Sequence, residues 1–395
     1  MEKFKFRLFK TRVKDILLAD LAQIVSQDNQ PVSAIISNDI KGKIANLTTN
    51  EELQNAISTA VREAILQWQS NPEGNNSLVV LANPVSSLTR ILNDSLGNEE
   101  HDRPLEINSI SWQARLHNFE QIKAELLSTI QPKSEIVTHQ PSDAPALENR
   151  RVIIIPRLEW CFLRCIGGLE TIEVLKDIIA ADSEHFWLIG CNSWAWQYLE
   201  KVYQITAYLQ QSVSLPALDG TQMQTWLEPI HQEINPIWSE DREWLRIKKK
   251  ELKQAKKQRL EIDEILKLKE RYYNNLADLS QGVATVAGDL WWRSLLVKES
   301  EANLITYQME KVKLPELPDL VAADRYLLYS LLMHGGLSLQ HLAATMSKSQ
   351  SVLKARTQYL LQAGVIQKEQ SIITVNPAYY PRLKTILSNN NFLVD

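Results

Sequence analysis

The chain has 395 residues, 44% of them hydrophobic and 23% charged, an ordinary globular composition with room for two or three domains. A net charge of −4 and a pI near 6.1 exclude a uniformly basic nucleic-acid coat and leave only a local basic surface for phosphates. No run approaches about 20 uninterrupted apolar residues, and the first residues thread charges through apolar ones, so a cytoplasmic location is expected.

Residues 1–70 are expected to form an N-terminal helical arm, because "LLADLAQIV" and "LQNAISTAVREAILQWQ" place apolar residues at helical spacing. Its first segment carries Lys3, Lys5, Arg7, Lys10, Arg12 and Lys14 between Phe4, Phe6, Leu8 and Phe9. That pattern suits a solvated face or docking arm, and it also suits adhesion to an anionic membrane. After the turn-rich "SNPEGNNS", residues 71–230 alternate short apolar runs with helical stretches. The runs are "LVVLA" (78–82), "LEINSIS" (105–111), "VIII" (152–155), "FWLIGC" (186–191) and "VSL" (213–215). Strand then helix, repeated, predicts an α/β fold with a doubly wound parallel sheet. The polar, proline-bearing stretch 131–150 reads as a mobile surface loop before the third strand.

Residues 231–312 read as a helical lid containing a long charged helix, "EDREWLRIKKKELKQAKKQRLEIDEILKLKERYYNNLADL". Its apolar positions make too irregular a seam for a sustained coiled coil, and its lysine run reads as a solvated face or a nucleic-acid contact. "KLPELP" reads as a linker, and residues 318–395 as a compact unit. "ADRYLLYSLLMHGG", "SLQHLAATM" and "SQSVLKARTQYLLQAG" are its helices, the last stopped at Gly364. Two strands in "VIQKEQSIITVN" and a closing helix in "AYYPRLKTILSNN" complete the winged-helix order.

Cys161, Cys165 and Cys191 lie in segments that read as buried core, so reduced structural thiols are expected. No histidine stands at ligand spacing from them, and no metal site is expected. Trp187, Trp194, Trp196, Trp291 and Trp292 read as core filling, with an interface as the alternative.

Residues 71–300 resemble the nucleotide-binding core of AAA+ and STAND P-loop proteins, with a winged helix following as in origin-recognition-type relatives. The resemblance implies a phosphate loop G-x-x-x-x-G-K-[ST] after the first strand. The equivalent stretch here is "ANPVSSLT". Ala82 and Ser87 stand where the glycines belong, Leu88 stands for the lysine, and Thr89 alone matches the Mg²⁺-binding hydroxyl. Pro84 also removes an N–H donor, and none of the 12 glycines lies in the stretch. "RVIIIPRLEW" resembles the strand that ends in Mg²⁺-holding acids, but Pro156 and Arg157 occupy those places and Glu159 is the nearest carboxylate. Asn192 stands where such folds keep a polar sensor for the γ-phosphate. "VSLPALDGTQMQTWLEPI" and "LADLSQGVATVAGDLWWRSLL" resemble the packing segments of the lid.

The resemblance therefore implies a fold kept without its chemistry: a scaffold or regulator with a protein partner, no catalytic residues and no ATP or Mg²⁺ cofactor. Lys348, Gln350, Lys354 and Arg356, with Lys368 in the wing and Arg382 beyond it, are candidate contacts to DNA or to a docked protein. Asp319, Asp324 and Glu369 dilute that basic set, and both readings stay open. A DNA-binding regulator and a switch that binds NTP without hydrolysis are the alternatives.

Overall fold

Branched apolar residues pack well on a sheet that is covered on both faces, and the Val- and Ile-rich runs form such a sheet. The computed structural model describes residues 32–71, 74–96, 106–110, 115, 120–121, 123–124, 128, 151–238, 257–299 and 305–392. β1 (Ser77–Ala82), β2 (Glu106–Ser109), β3 (Arg151–Ile155), β4 (His185–Asn192) and β5 (Ser212–Ser214) form one parallel sheet in the order β2-β3-β4-β1-β5. The α/β class with a parallel sheet expected from the sequence is the one found. Every residue of the central strand β4 is buried. Register pairs Ala82 with Asn192 and Ile155 with Ile189, so the C-terminal ends of β1, β3 and β4 lie side by side.

Helices cover this sheet. α1 (Val32–Ala45) and α2 (Glu51–Ser70) precede it, and α2 buries Leu53, Ile57, Val61, Ala64, Ile65 and Trp68 as one stripe. The Asn50 side chain caps α2 by accepting from the Glu52 N–H. α3 (Leu88–Leu96), α4 (Glu170–Ala181) and α5 (Ser193–Tyr203) follow strands β1, β3 and β4. Trp187, Trp194 and Trp291 are fully buried, so the core-filling role expected for them holds, and Trp68 is buried with them.

The lid region differs from one long helix. α6 (Gly220–Ile234) opens on a capping box between Asp219 and Gln222, and stops where Asn235 takes a left-handed φ of 46°. β6 (Ile237–Trp238) then pairs with β8 (Ile305–Met309), which pairs with β7 (Leu295–Glu299), while α7 (Lys257–Ser280) and α8 (Ala284–Arg293) lie between them in sequence. A strand of two residues has no periodicity to read, and only its distant partner makes it one. Most of the expected lysine run, the arm at 1–31 and the loop at 131–150 lie outside the described residues.

The C-terminal unit runs α9 (Ala322–His334), β9 (Leu337–Ser338), α10 (Leu339–Met346), α11 (Gln350–Gln362), β10 (Ile366–Glu369), β11 (Ile372–Val375) and α12 (Tyr380–Asn389). Its three strands form an antiparallel sheet in the order β10-β11-β9.

One expectation about the thiols is corrected. Cys161 and Cys191 are buried, but Cys165 is exposed, and neither Cys161 nor Cys165 sits on an α-helix. A single 3-10 turn, Leu158–Trp160, gives way to a tight loop closed by the Leu163 N–H on the Gly168 carbonyl at 3.0 Å. Gly167 takes φ +74° there, and a Cβ on Gly168 would collide with the Leu163 carbonyl, so the chain turns outward at Cys165. Among the described residues, no helix is long and apolar enough to cross a membrane.

Candidate functional site at the strand ends

The β1–α3 connection is a short turn, Asn83–Ser87, closed by the Ser86 N–H on the Asn83 carbonyl at 2.9 Å. Leu88, which stands where a phosphate-binding lysine is expected, is the first residue of α3 and only 5% exposed. It packs on β4 at Gly190, where Leu92 Cδ1 and Leu88 Cδ2 lie 2.9 and 3.0 Å from the place a Cβ would take. Position 88 therefore points into the core, and an ammonium there would be buried. Ala82 is buried, Thr89 half-buried and Ser87 exposed. Two distant hydroxyls hold the turn. Tyr380 donates to Asn83 Oδ1 at 2.7 Å, and Thr285 donates to the Val85 carbonyl at 2.9 Å.

At the ends of β3 and β4, the residues expected to be remnants of a catalytic site meet the end of α9. A helix leaves its last carbonyls without intrahelical partners and carries partial negative charge there. Asn192 Nδ2 donates to the Met333 carbonyl at 2.9 Å and to that of Leu332 at 3.4 Å. Arg157 donates to the Gly335 carbonyl at 3.0 Å, and Arg115 to that of His334 at 3.0 Å. Glu159, 2% exposed, accepts from Arg157 Nε at 3.0 Å and from the Asn192 N–H at 3.2 Å. Pro156 is buried beside them, its carbonyl against Gly190.

Arg115 also donates to the carbonyls of Glu159, Trp160 and Phe162. Burial pulls its pKa down to about 10, opposed by the charge of Glu159, so it stays a cation at neutral pH. His334 is fully buried, and that burial, together with Arg115 and Arg164, pushes its pKa well below the ordinary value. The ring is therefore neutral, with Nε2 accepting from the Arg164 N–H at 3.4 Å. Gly335 has φ +63°, and a Cβ there would collide with the Arg157 guanidinium. Trp194 stacks on Tyr329 at 5.7 Å and leans on Tyr380 at 5.9 Å, which seals the same contact with apolar surface.

The sequence-derived set thus divides into the turn residues Ala82, Ser87, Leu88 and Thr89, and the α9 dock formed by Pro156, Arg157, Glu159 and Asn192. Arg115, Asn83, Thr285, His334 and Tyr380 were missed. Arg115 belongs to no motif, and "MHGG" was legible only as part of a helix.

Beside the turn lies a cavity of 410 Å³, bounded by Leu47–Asn50, by Asn83, Ser86 and Ser87, by Leu215–Ala217, the start of α8, and Gln367 and Glu369 of β10. Its charged groups are Lys41, Arg90, Asp289 and Glu369, two of each sign. The Lys41 ammonium lies 5.5 Å from the Trp292 ring centroid, and Arg90 Nε is 3.7 Å from Asp94. Arg90 also donates to the Ala45 carbonyl, and Asp289 pairs with Arg293 at 3.0 Å. A magnesium triphosphate does not fit the strand ends: position 88 is apolar and buried, Pro156 and Arg157 stand where the resemblance implies acids, and Glu159 is already doubly engaged. Among the described residues, no group of three or more His, Cys, Asp or Glu side chains could hold a metal ion.

On the C-terminal unit, Lys348, Gln350, Lys354 and Lys368 are exposed. Arg356 lies 3.4 Å from the buried Asp324 carboxylate, and Arg382 donates to the Leu314 carbonyl at 3.3 Å, so these two are engaged within the protein. Val352 and Tyr359 are exposed on the same helix as Lys354.

No protein-family model and no curated protein sequence matches the chain. Solved structures of similar fold include the RuvB Holliday junction branch migration motor of Thermotoga maritima, at 12% identity and a TM-score of 0.34, covering 88% of this chain and 96% of that one. Cdc6p of Pyrobaculum aerophilum is similar at 10% identity and a TM-score of 0.37, with 86% and 95% covered. The ORC2 protein of Aeropyrum pernix is similar at 11% identity and a TM-score of 0.33, with 85% and 92% covered.

Proposed function

We propose that this chain is a non-catalytic scaffold or regulator on an AAA+-like α/β core, in which the former catalytic edge has become an internal dock for the C-terminal unit. One observation carries the reading: Arg157 and Asn192, at positions where Mg²⁺ and γ-phosphate chemistry is expected, donate to the carbonyls at the end of α9. Groups already bonded to protein inside a buried contact are not available to polarise water. The buried leucine at position 88 removes the cation that a triphosphate needs.

The test is ATP turnover by the purified chain with Mg²⁺. None above background is expected; turnover that disappears with Thr89→Ala or Glu159→Gln overturns the proposal.

The exposed side of α11 is the surface we assign to a partner. Val352 and Tyr359, seven residues apart and so on one exposed stripe of the helix, favour a protein, because an apolar and aromatic centre is the make-up of a protein interface. Duplex DNA is the second reading, favoured by Lys348, Lys354 and Lys368 on the α11 and wing side. Fluorescence anisotropy with a labelled duplex distinguishes them. A salt-dependent affinity weakened by Lys354→Gln supports DNA, and its absence leaves the protein reading standing.

A further inference from the structure

We propose that the open groove between α7, the segment 314–320 and α12 is the docking site of this chain's own basic segment, residues 3–14. The groove has a volume of 730 Å³. Its floor is apolar, made by Leu279 at the end of α7, by Leu314, Leu317 and Leu320, and by Ile386 of α12, all half-buried. Leucines three apart, beside Pro315 and Pro318, share one side of a polyproline-II-type run, whose period is about three residues. Both ends of that run are pinned: Arg382 donates to the Leu314 carbonyl at 3.3 Å, and Arg325 to the Leu320 carbonyl at 2.9 Å. The row of leucines is thus held in place although the fold leaves it only half-buried.

The charges choose the occupant. The rim carries Asp278, Glu316 and Asp319, all exposed, and an adjoining hollow of 490 Å³, which shares Asp278 and Gln281, adds Asp219. Arg325 and Arg382 keep their charge although they bond to carbonyls, so four carboxylates face two guanidinium groups, a net charge of −2. Residues 3–14 carry Lys3, Lys5, Arg7, Lys10, Arg12 and Lys14 with no acid among them, interleaved with Phe4, Phe6, Leu8 and Phe9. A segment of that make-up offers apolar side chains to the floor and cations to the rim. The chain also brings it within range. α1 packs on α6 and α8, and α6 packs on α7, whose end walls the groove. The roughly 17 residues from 15 to 31 span at most about 60 Å, about the breadth of a compact chain of this length. Because the walls come from the lid helix α7 and from the C-terminal unit, a segment seated there clasps the two together.

The experiment uses the full chain with the photo-crosslinker p-benzoylphenylalanine in place of Phe6, irradiated at low protein concentration, with the products mapped by mass spectrometry. The expected crosslinks run within one chain to residues 278–281, 314–320 or 381–386. Their yield is expected to fall at least fivefold in the chain carrying both Glu316→Lys and Asp319→Lys, which turns the net charge of the groove from −2 to +2. Glu63→Lys, exposed on α2, is the control and leaves the yield unchanged. The reversed chain is first compared with the parent in unfolding, and Asp278→Lys gives the reading if the double variant unfolds early. Crosslinks to other faces, crosslinks that join two copies, or an unchanged yield in a folded reversed chain overturn the inference. No crosslink to the chain also overturns it, and sedimentation with phosphatidylserine vesicles then identifies a membrane arm. None of these readings involves nucleotide or turnover, so the scaffold reading stands or falls separately.

Discussion

Replacing Asn192 by Asp tests the docking of α9 on the sheet while holding a second role constant. Asn192 caps α5 by accepting from the Ala195 N–H at 2.8 Å, and it donates to the Met333 carbonyl at 2.9 Å. Asp keeps the acceptor, and its charge at a helix N-terminus contributes about 0.3–1 kcal/mol. It cannot donate, however, and it sets a carboxylate against two carbonyls and Glu159, whose Oε2 lies 3.2 Å from the backbone nitrogen of residue 192. An uncompensated buried charge costs about 3–5 kcal/mol, so a net loss of about 2–4 kcal/mol is expected at pH 7. Asn192→Ala loses the cap, about 1 kcal/mol, and leaves a buried carbonyl unpaired, about 1–3 kcal/mol, giving a loss of similar size. Urea unfolding followed by tryptophan fluorescence measures both. The Asp variant has a second signature: burial raises its folded-state pKa above the unfolded value, so its deficit shrinks as pH falls. If Asn192→Asp unfolds within about 0.5 kcal/mol of the parent at pH 7, Asn192 is only a helix cap and the dock is misread.

Gly335→Ala forces a side chain into a left-handed position, at about 1–2 kcal/mol, and drives it into Arg157; Gly364→Ala has the same backbone cost but meets only Tyr379 Oη at 3.5 Å. The first is expected to lower stability by about 1 kcal/mol or more beyond the second in denaturant titrations, and equal losses would refute the Arg157 contact. His334 is neutral when folded, with a depressed pKa, so its contribution is present above the unfolded value near 6.5 and is lost as pH falls below it. Unfolding at pH 7, 6 and 5 is expected to show up to about 1.4 kcal/mol lost per pH unit from this group, a slope that His334→Gln removes. Leu88→Lys puts an ammonium into the core beside Gly190. It is expected to destabilise by about 3 kcal/mol or more without conferring ATP binding, measured by unfolding and calorimetry.

The α/β class was legible because a strand buried on both faces must be nearly all apolar, as β1, β3 and β4 are, while the edge strands β2 and β5 showed only shorter apolar runs between turns. The apolar residue at position 88 was equally legible, since it is the identity of one residue at a stated spacing. That Arg157, Glu159 and Asn192 form a dock was not. Arg157 and Asn192 donate to the carbonyls of Leu332, Met333 and Gly335, which have no side-chain identity to read and come near only when α9 packs on the core, and Glu159 in turn accepts from Arg157 and the Asn192 N–H. Arg115 was invisible for the same reason, because its acceptors are the carbonyls of Glu159, Trp160, Phe162 and His334. Local periodicity and residue type thus determined the buried strands of the sheet and most of the helices. Only the tertiary structure, by placing a helix terminus against the strand ends, decided what the remaining polar residues there do.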